Sequence, residues 1–216
     1  VGAILASAII AGVRITLLDP SPGTTWLDAD LLSMLNQGQR NACLLRPDLY
    51  TVRAAIPMVA GTLQALPAGG TGLIRLDENV SGKMRCRLVD SDLFDAFLRT
   101  WPAFTRTVEV EEYAFDPKDA ARFQVNPPNT GAGSVIAHYT AVPPAIAAVG
   151  NAITLDDTLE LVLKHFTLGE AYAANTKRQD LSKATFYRQS FEKMLGINAQ
   201  AAVAISPKYG NTPGGA

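Results

Sequence analysis

Thr25-Trp26-Leu27-Asp28-Ala29-Asp30-Leu31-Leu32-Ser33-Met34-Leu35-Asn36-Gln37-Gly38-Gln39-Arg40-Asn41-Ala42-Cys43-Leu44-Leu45-Arg46-Pro47-Asp48-Leu49-Tyr50 is the stretch on which the fold turns. Thr25-x-x-Asp28 opens it like a capping box, with Asp in place of the usual Glu. Leu31, Leu35, Gly38, Ala42 and Leu45 form an apolar stripe at helical spacing, and Asn36, Gln37, Gln39, Arg40 and Asn41 form a polar face. Arg46-Pro47 ends the helix, because proline disfavours helical backbone in the residue before it. Beyond this point helical periodicity gives way to short apolar runs broken by Gly, Pro, Asn and Asp.

Upstream, residues 2–18 read as a helix rich in Ala and Ile, with Leu5, Ala8, Ile9 and Gly12 on one face. The Asp19-Pro20-Ser21-Pro22-Gly23 cluster stops it. The apolar run 1–13 is shorter than the roughly 18–20 residues a membrane span needs. It lacks a basic leader and a clear cleavage site, so a signal peptide is not expected.

Downstream, residues 50–56, 58–65, 72–76, 83–89, 113–116, 122–125 and 134–140 read as strands, with a short helix over 93–99. They make a small β-sandwich or barrel-like insertion closed by Pro143-Pro144. Helices return over 151–175, opened by Thr154-x-x-Asp157. Leu159, Val162, Leu163 and Phe166 mark one apolar face of this helix, and Leu161, Leu168 and Tyr172 mark a second. A helix apolar on two faces must be covered on two sides, one of them by a neighbouring subunit. Asp180 starts a fourth helix, with Ala184, Tyr187, Phe191, Met194 and Leu195 at helical spacing, and Gly196 caps it. The remainder contains Ser206-Pro207-Lys208-Tyr209 and cannot build a core. It orders, if at all, by docking on a partner. The expected fold is therefore α+β: a four-helix bundle from 1–48 and 151–196, a β-rich insertion over 49–150, and an extended tail over 197–216.

The 216 residues are enough to bury a core without disulfides or metals. Charged residues make up 18%, below the roughly 25% of ordinary soluble domains. Low charge suggests that some surface meets other subunits. With 19 Lys and Arg against 20 Asp and Glu, nothing drives the chain toward nucleic acid or acidic membranes. Cys43 and Cys86 form no disulfide framework or zinc pattern and fit synthesis in a reducing cytoplasm.

Catalytic and ligand motifs fail one by one. Gly69-Gly70-Thr71-Gly72 lacks the Lys-Ser/Thr of a P-loop, and Gly131-Ala132-Gly133-Ser134 lacks the third glycine of a dinucleotide fingerprint, so both read as hairpin turns. His138 and His165 fall in different elements. Asp90, Asp92 and Asp95, like Glu109, Glu111 and Glu112, lack calcium-loop spacing. Asp156 and Asp157 suit a helix N-terminus. Lys177, Arg178, Lys183, Arg188 and Lys193 give the last helical region a basic bias, which suits a solvated face ahead of an acidic partner surface or DNA. No serine sits in a nucleophile elbow. No catalytic residue, cofactor or metal is expected.

The Trp26–Arg40 helix followed by Leu45-Arg46-Pro47-Asp48-Leu49-Tyr50 is one telling segment. Tyr139-Thr140-Ala141-Val142-Pro143-Pro144, followed by the helices from Asp156 and to Gly196, is the other. Their order and spacing, spread over about residues 2–196, resemble the bacteriophage head–tail connector adaptor family. That family's first helix usually carries basic residues, whereas here Arg14 is the only charge before Asp19. The resemblance implies a structural ring, usually of twelve copies, beneath the portal protein. Such a ring extends the DNA channel, lets DNA pass without specific binding during ejection, and offers a platform for tail or nozzle proteins. It implies a place in the virion at the head–tail junction, away from any membrane. Leu161, Leu168 and Tyr172 would then meet a neighbour, and Ser206, Pro207, Lys208 and Tyr209 would dock on the portal or the next copy. A tail-completion or baseplate protein built on the same helices is the alternative.

Overall fold

A computed structural model describes residues 2–20, 23, 25–82, 84–90, 105–174 and 176–196. The expected 93–99 helix and the 197–216 tail lie outside these residues, as do Asp92 and Asp95. Among the described residues the protein is α+β, with four α-helices and two sheets. It divides into two compact units, Val1–Arg46 with Pro144–Ala216, and Pro47–Pro143. Both chain crossings fall at prolines. Residues 144–150, expected with the insertion, belong with the helices. Asn36 holds them there, accepting from Ile146 N at 2.8 Å and donating to Ile146 O at 3.1 Å.

In the helical unit, α1 spans Ala6–Leu17 and buries Ile9, Ile10, Val13 and Leu17. It starts later than its composition suggests. Ala3 N and Ile4 N donate to the Asp157 carboxylate at 2.8 and 3.0 Å, and Leu5 bridges Ala152. Backbone pairing to a distant segment thus replaces the first helical turn. The second helix, α2, spans Asp28–Leu45. Thr25 does not cap it; Leu27 precedes the first turn, and its N–H is taken by Asp30 at 3.3 Å. Gln39, assigned to the polar face, is buried. Its Oε1 accepts from Thr154 N at 2.8 Å and Leu155 N at 3.4 Å, which pins the segment entering the later helices. A Cβ on Gly38 would lie 3.0 Å from the Phe166 ring, so a larger residue would push the ring back by a few tenths of an ångström.

Asp156, not Thr154, caps the next turn, accepting from Thr158 N at 3.0 Å. That 3-10 turn, Asp157–Leu159, leads into α3, Glu160–Ala173. The helix packs against α1, against α2 and against α4, Leu181–Met194. As expected, Asp180 caps α4 by accepting from Lys183 N at 3.0 Å, and Gly196 ends it at φ +65°.

The second unit has β1 (Thr51–Pro57), β2 (Gly61–Ala65), β3 (Gly70–Asn79), β4 (Arg87–Leu88), β5 (Glu112–Ala114), β6 (Arg122–Asn129) and β7 (Ser134–Ala141). They form a three-stranded sheet, β1-β7-β3, and a four-stranded sheet, β2-β6-β5-β4. Alternate residues of both sheets fill one core around Ile56, Leu73, Tyr113, Phe123, Val125 and Val135. The two glycine-rich turns are not hairpins. Gly69 (φ +88°) leads from β2 to β3 and Gly131 (φ +92°) from β6 to β7, each crossing between sheets. Pro127 and Pro128 sit inside the central strand β6, where proline costs ladder bonds. The β2 pairing jumps from Leu63↔Gln124 to Gly61↔Asn129 across them, so the ladder is open where they lack donors.

Candidate assembly surfaces

The α1–α2 corner is built on Arg14, which is 5% exposed. Its guanidinium reaches Trp26 O at 2.8 Å, Asp28 Oδ1 at 2.5 Å and Asp19 Oδ2 at 3.4 Å. Asp19 in turn accepts from Trp26 N at 3.0 Å. A Cβ on Gly23 would overlap the guanidinium, which explains a small residue there. The one charge in the first helix is therefore spent inside the unit. Next to it, Leu18 ends α1 in the left-handed region at φ 53°. Asp19 N bonds Arg14 O and Leu18 N bonds Ile15 O, the two bonds of a Schellman cap. Leucine at such a position costs roughly 1–2 kcal/mol. Its side chain is nevertheless 79% exposed, beside Ile15 at 76%. Backbone strain and an exposed apolar pair thus coincide at this corner.

The α3–α4 seam is closely packed and aromatic. A Cβ on Gly169 would sit 3.2 Å from Arg188 Cγ and 3.5 Å from Ala184 O, so the two helices meet at small residues. Phe166 and Phe191 pack edge to face at 5.0 Å. Tyr187 lies 5.3 Å from the His165 ring and stacks on Tyr172 at 5.9 Å, with Lys183 Nζ 5.2 Å above Tyr172. His165 Nδ1 and Ser190 Oγ meet at 2.9 Å. Burial, then the Lys164 charge, lowers the His165 pKa, so neutral imidazole is favoured. This contact ties two helices; the groups around it are a tyrosine ring and an ammonium, not a carboxylate that would orient a base. Around its solvent-facing surface α4 exposes Leu181, Phe186 and Met194 at separate positions, Phe186 being 62% exposed.

Between α2 and α4 runs a groove of about 380 Å³. Gln37, Asn41, Leu44 and Leu45 form one wall, Arg188 and Glu192 the other, and Phe166 and Phe191 the floor. Leu44 is 77% exposed. Leu45, placed on the core stripe by periodicity, faces this groove and is also exposed.

The expected contact residues separate. Leu161 is exposed on α3, whereas Leu168 and Tyr172 are buried inside the helical unit, where Tyr172 also reaches Thr16 O at 3.4 Å. The second apolar face of α3 is thus covered largely by the chain itself. Ser206, Pro207, Lys208 and Tyr209 lie outside the described residues. Most of the basic face is also occupied. Arg178 bonds Leu17 O and Leu18 O, Lys183 pairs with Asp180 at 3.3 Å, and Arg188 pairs with Glu170 at 2.6 Å. The exposed Leu18 escaped sequence reading because no residue type signals a left-handed leucine.

In the β unit, Arg53, His138 and Arg75 are aligned across β1, β7 and β3. Asp77 binds both guanidiniums at 2.7 Å, and its hydrogen bond from Arg53 holds its carboxyl below the ordinary range. The row pairs two guanidiniums with one carboxylate, so it is only partly neutralised. Burial pushes the nearby Cys86 thiol up to about 11, which favours the protonated form at neutral pH. Among the described residues, no group of three or more His, Cys, Asp or Glu is placed to hold a metal ion. No helix among them is long and apolar enough to cross a membrane.

No curated protein matches the chain. The family described as "SU10 adaptor protein" matches residues 5–210, spanning both units and their two proline crossings. The exposed apolar surfaces suit an assembly component, and the chain belongs to the SU10 adaptor protein family, the structural head–tail adaptors of phages.

Proposed function

We propose that this chain is one subunit of a closed ring, of twelve copies, beneath the portal at the head–tail junction. Its four helices act as one bundle carrying the β unit as an insertion, and the ring extends the DNA channel toward tail or nozzle proteins. One observation carries the reading. Only Ala184 and Phe191 of the fourteen residues of α4 are buried, while Leu181, Phe186 and Met194 are exposed. A ring needs two different patches that close by rotation. The outer side of α4 and the Ile15–Leu18 corner are two such patches, with Leu161 as a further contact. Residues Ser206, Pro207, Lys208 and Tyr209 dock on the portal or the next copy. Near-neutral overall charge lets DNA pass without retention.

Cryo-electron microscopy of the chain mixed with its portal tests this. Twelvefold density of the chain below the portal is expected. A chain that stays monomeric and leaves the portal bare, or that appears only at the distal tail, overturns it.

A further inference from the structure

We propose that residues 197–205, Ile-Asn-Ala-Gln-Ala-Ala-Val-Ala-Ile, occupy the α2–α4 groove of their own molecule. Arg46 Nη1 donates to Leu195 O at 2.9 Å, so α2 and α4 end side by side. Gly196 at φ +65° then ends α4, and the chain continues from the mouth of the groove. The lining stretch of α2, from Gln37 to Leu45, is about 12 Å long at 1.5 Å per residue. Nine extended residues reach up to ~30 Å, so the segment covers the groove with length to spare.

Chemistry matches as well. Seven of the nine residues are apolar and most are alanines, suited to a shallow groove floored by Phe166 and Phe191. The rim carries two carboxylates, Glu170 and Glu192, against one guanidinium, Arg188. Residues 197–216 carry Lys208 and no Asp or Glu. Tethering decides between this segment and one from another copy. A short linker gives an effective concentration on the order of millimolar, which exceeds that of free copies at micromolar protein. A groove too weak to hold a separate peptide is therefore filled from within. Docking of 197–205 would also fix where Ser206–Tyr209 emerge, but it does not depend on ring formation.

Elastase, which cleaves after small residues, tests the proposal on the full chain. Cleavage within 199–204 tracks the undocked fraction. In the unaltered chain it should be at least about tenfold slower than in Leu44→Asp, and independent of protein concentration. Ala202→Asp, which puts a charge into the apolar segment itself, should release it equally. Rapid cleavage of the unaltered chain overturns the proposal. So does protection that survives both substitutions, which would place the segment elsewhere, or protection that grows with concentration, which would place it on another copy. Light scattering on the same samples reports ring formation separately, so a failed ring and an empty groove are distinguishable.

Discussion

Helices α3 and α4 have the same length, fourteen residues, and lie against each other, yet α3 buries eight residues and α4 two. The difference is one of neighbours. Three helices surround α3, whereas α4 packs substantially on α3 alone. What α3 does is hold the unit together; what α4 offers is surface. Sequence periodicity already gives α3 two apolar faces and α4 one, but which faces are covered within the unit shows only when the packing partners are known.

Substitutions can break this contrast or sharpen it. The largest effect should come from Leu163→Ala, since Leu163 is fully buried on α3. A cavity there should cost about 3 kcal/mol, read as a lowered denaturant midpoint with unchanged slope. An equal loss from Leu181→Ala, on the exposed side of α4, would erase the distinction. Next, Gly169→Val forces a branched side chain into the seam and should cost about 1–3 kcal/mol. Hydrogen exchange should show the loss in α4 amides first, with the β unit unaffected.

Acidification should act more gently on the same seam. The carboxyl of Asp180 is held below its ordinary value by the Lys183 amide, and the imidazole of His165 is lowered by burial. Both are depressed in the folded state, so each contribution is complete above the unfolded value, about 4 and 6.5 respectively. Each is lost as pH falls through the folded value. Amides of α4 should therefore lose protection below about pH 6 before those of α3. Asp180→Asn and His165→Gln should each remove part of that dependence. The smallest effect on stability belongs to Phe186→Asp, within about 0.5 kcal/mol because the side chain is exposed. The same variant should abolish higher-order assembly by light scattering. Assembly that persists would move the contact off α4.

Much of the fold was legible because local rules decided it. Pro47 and Pro143-Pro144 punctuate the chain where one unit gives way to the other. Asp180 and Gly196 delimit α4 by capping chemistry that needs only neighbouring residues. The family resemblance rested on the same local segments. Misreadings share one cause, a distant partner. Asp157 went to the amides of residues 3 and 4, so the capping-box reading at Thr154 failed and α1 lost its first turn. Gln39 satisfied two backbone donors more than a hundred residues away, and a polar residue became core.

The interaction surface shows the division most sharply. Leu161, Leu168 and Tyr172 share one apolar stripe, but only tertiary packing reveals that two of them are consumed within the unit. Conversely, Leu45 reads as part of an apolar core stripe yet emerges beside Leu44 as an exposed groove wall, and Phe186 stands exposed on α4. The sequence by itself placed the four helices and the β-rich stretch between them, and it carries no familiar catalytic motif. The tertiary structure decided which apolar faces remain open. Burial is a property of neighbours brought together across the chain, and hydrophobic patterning states what must be covered without saying by what.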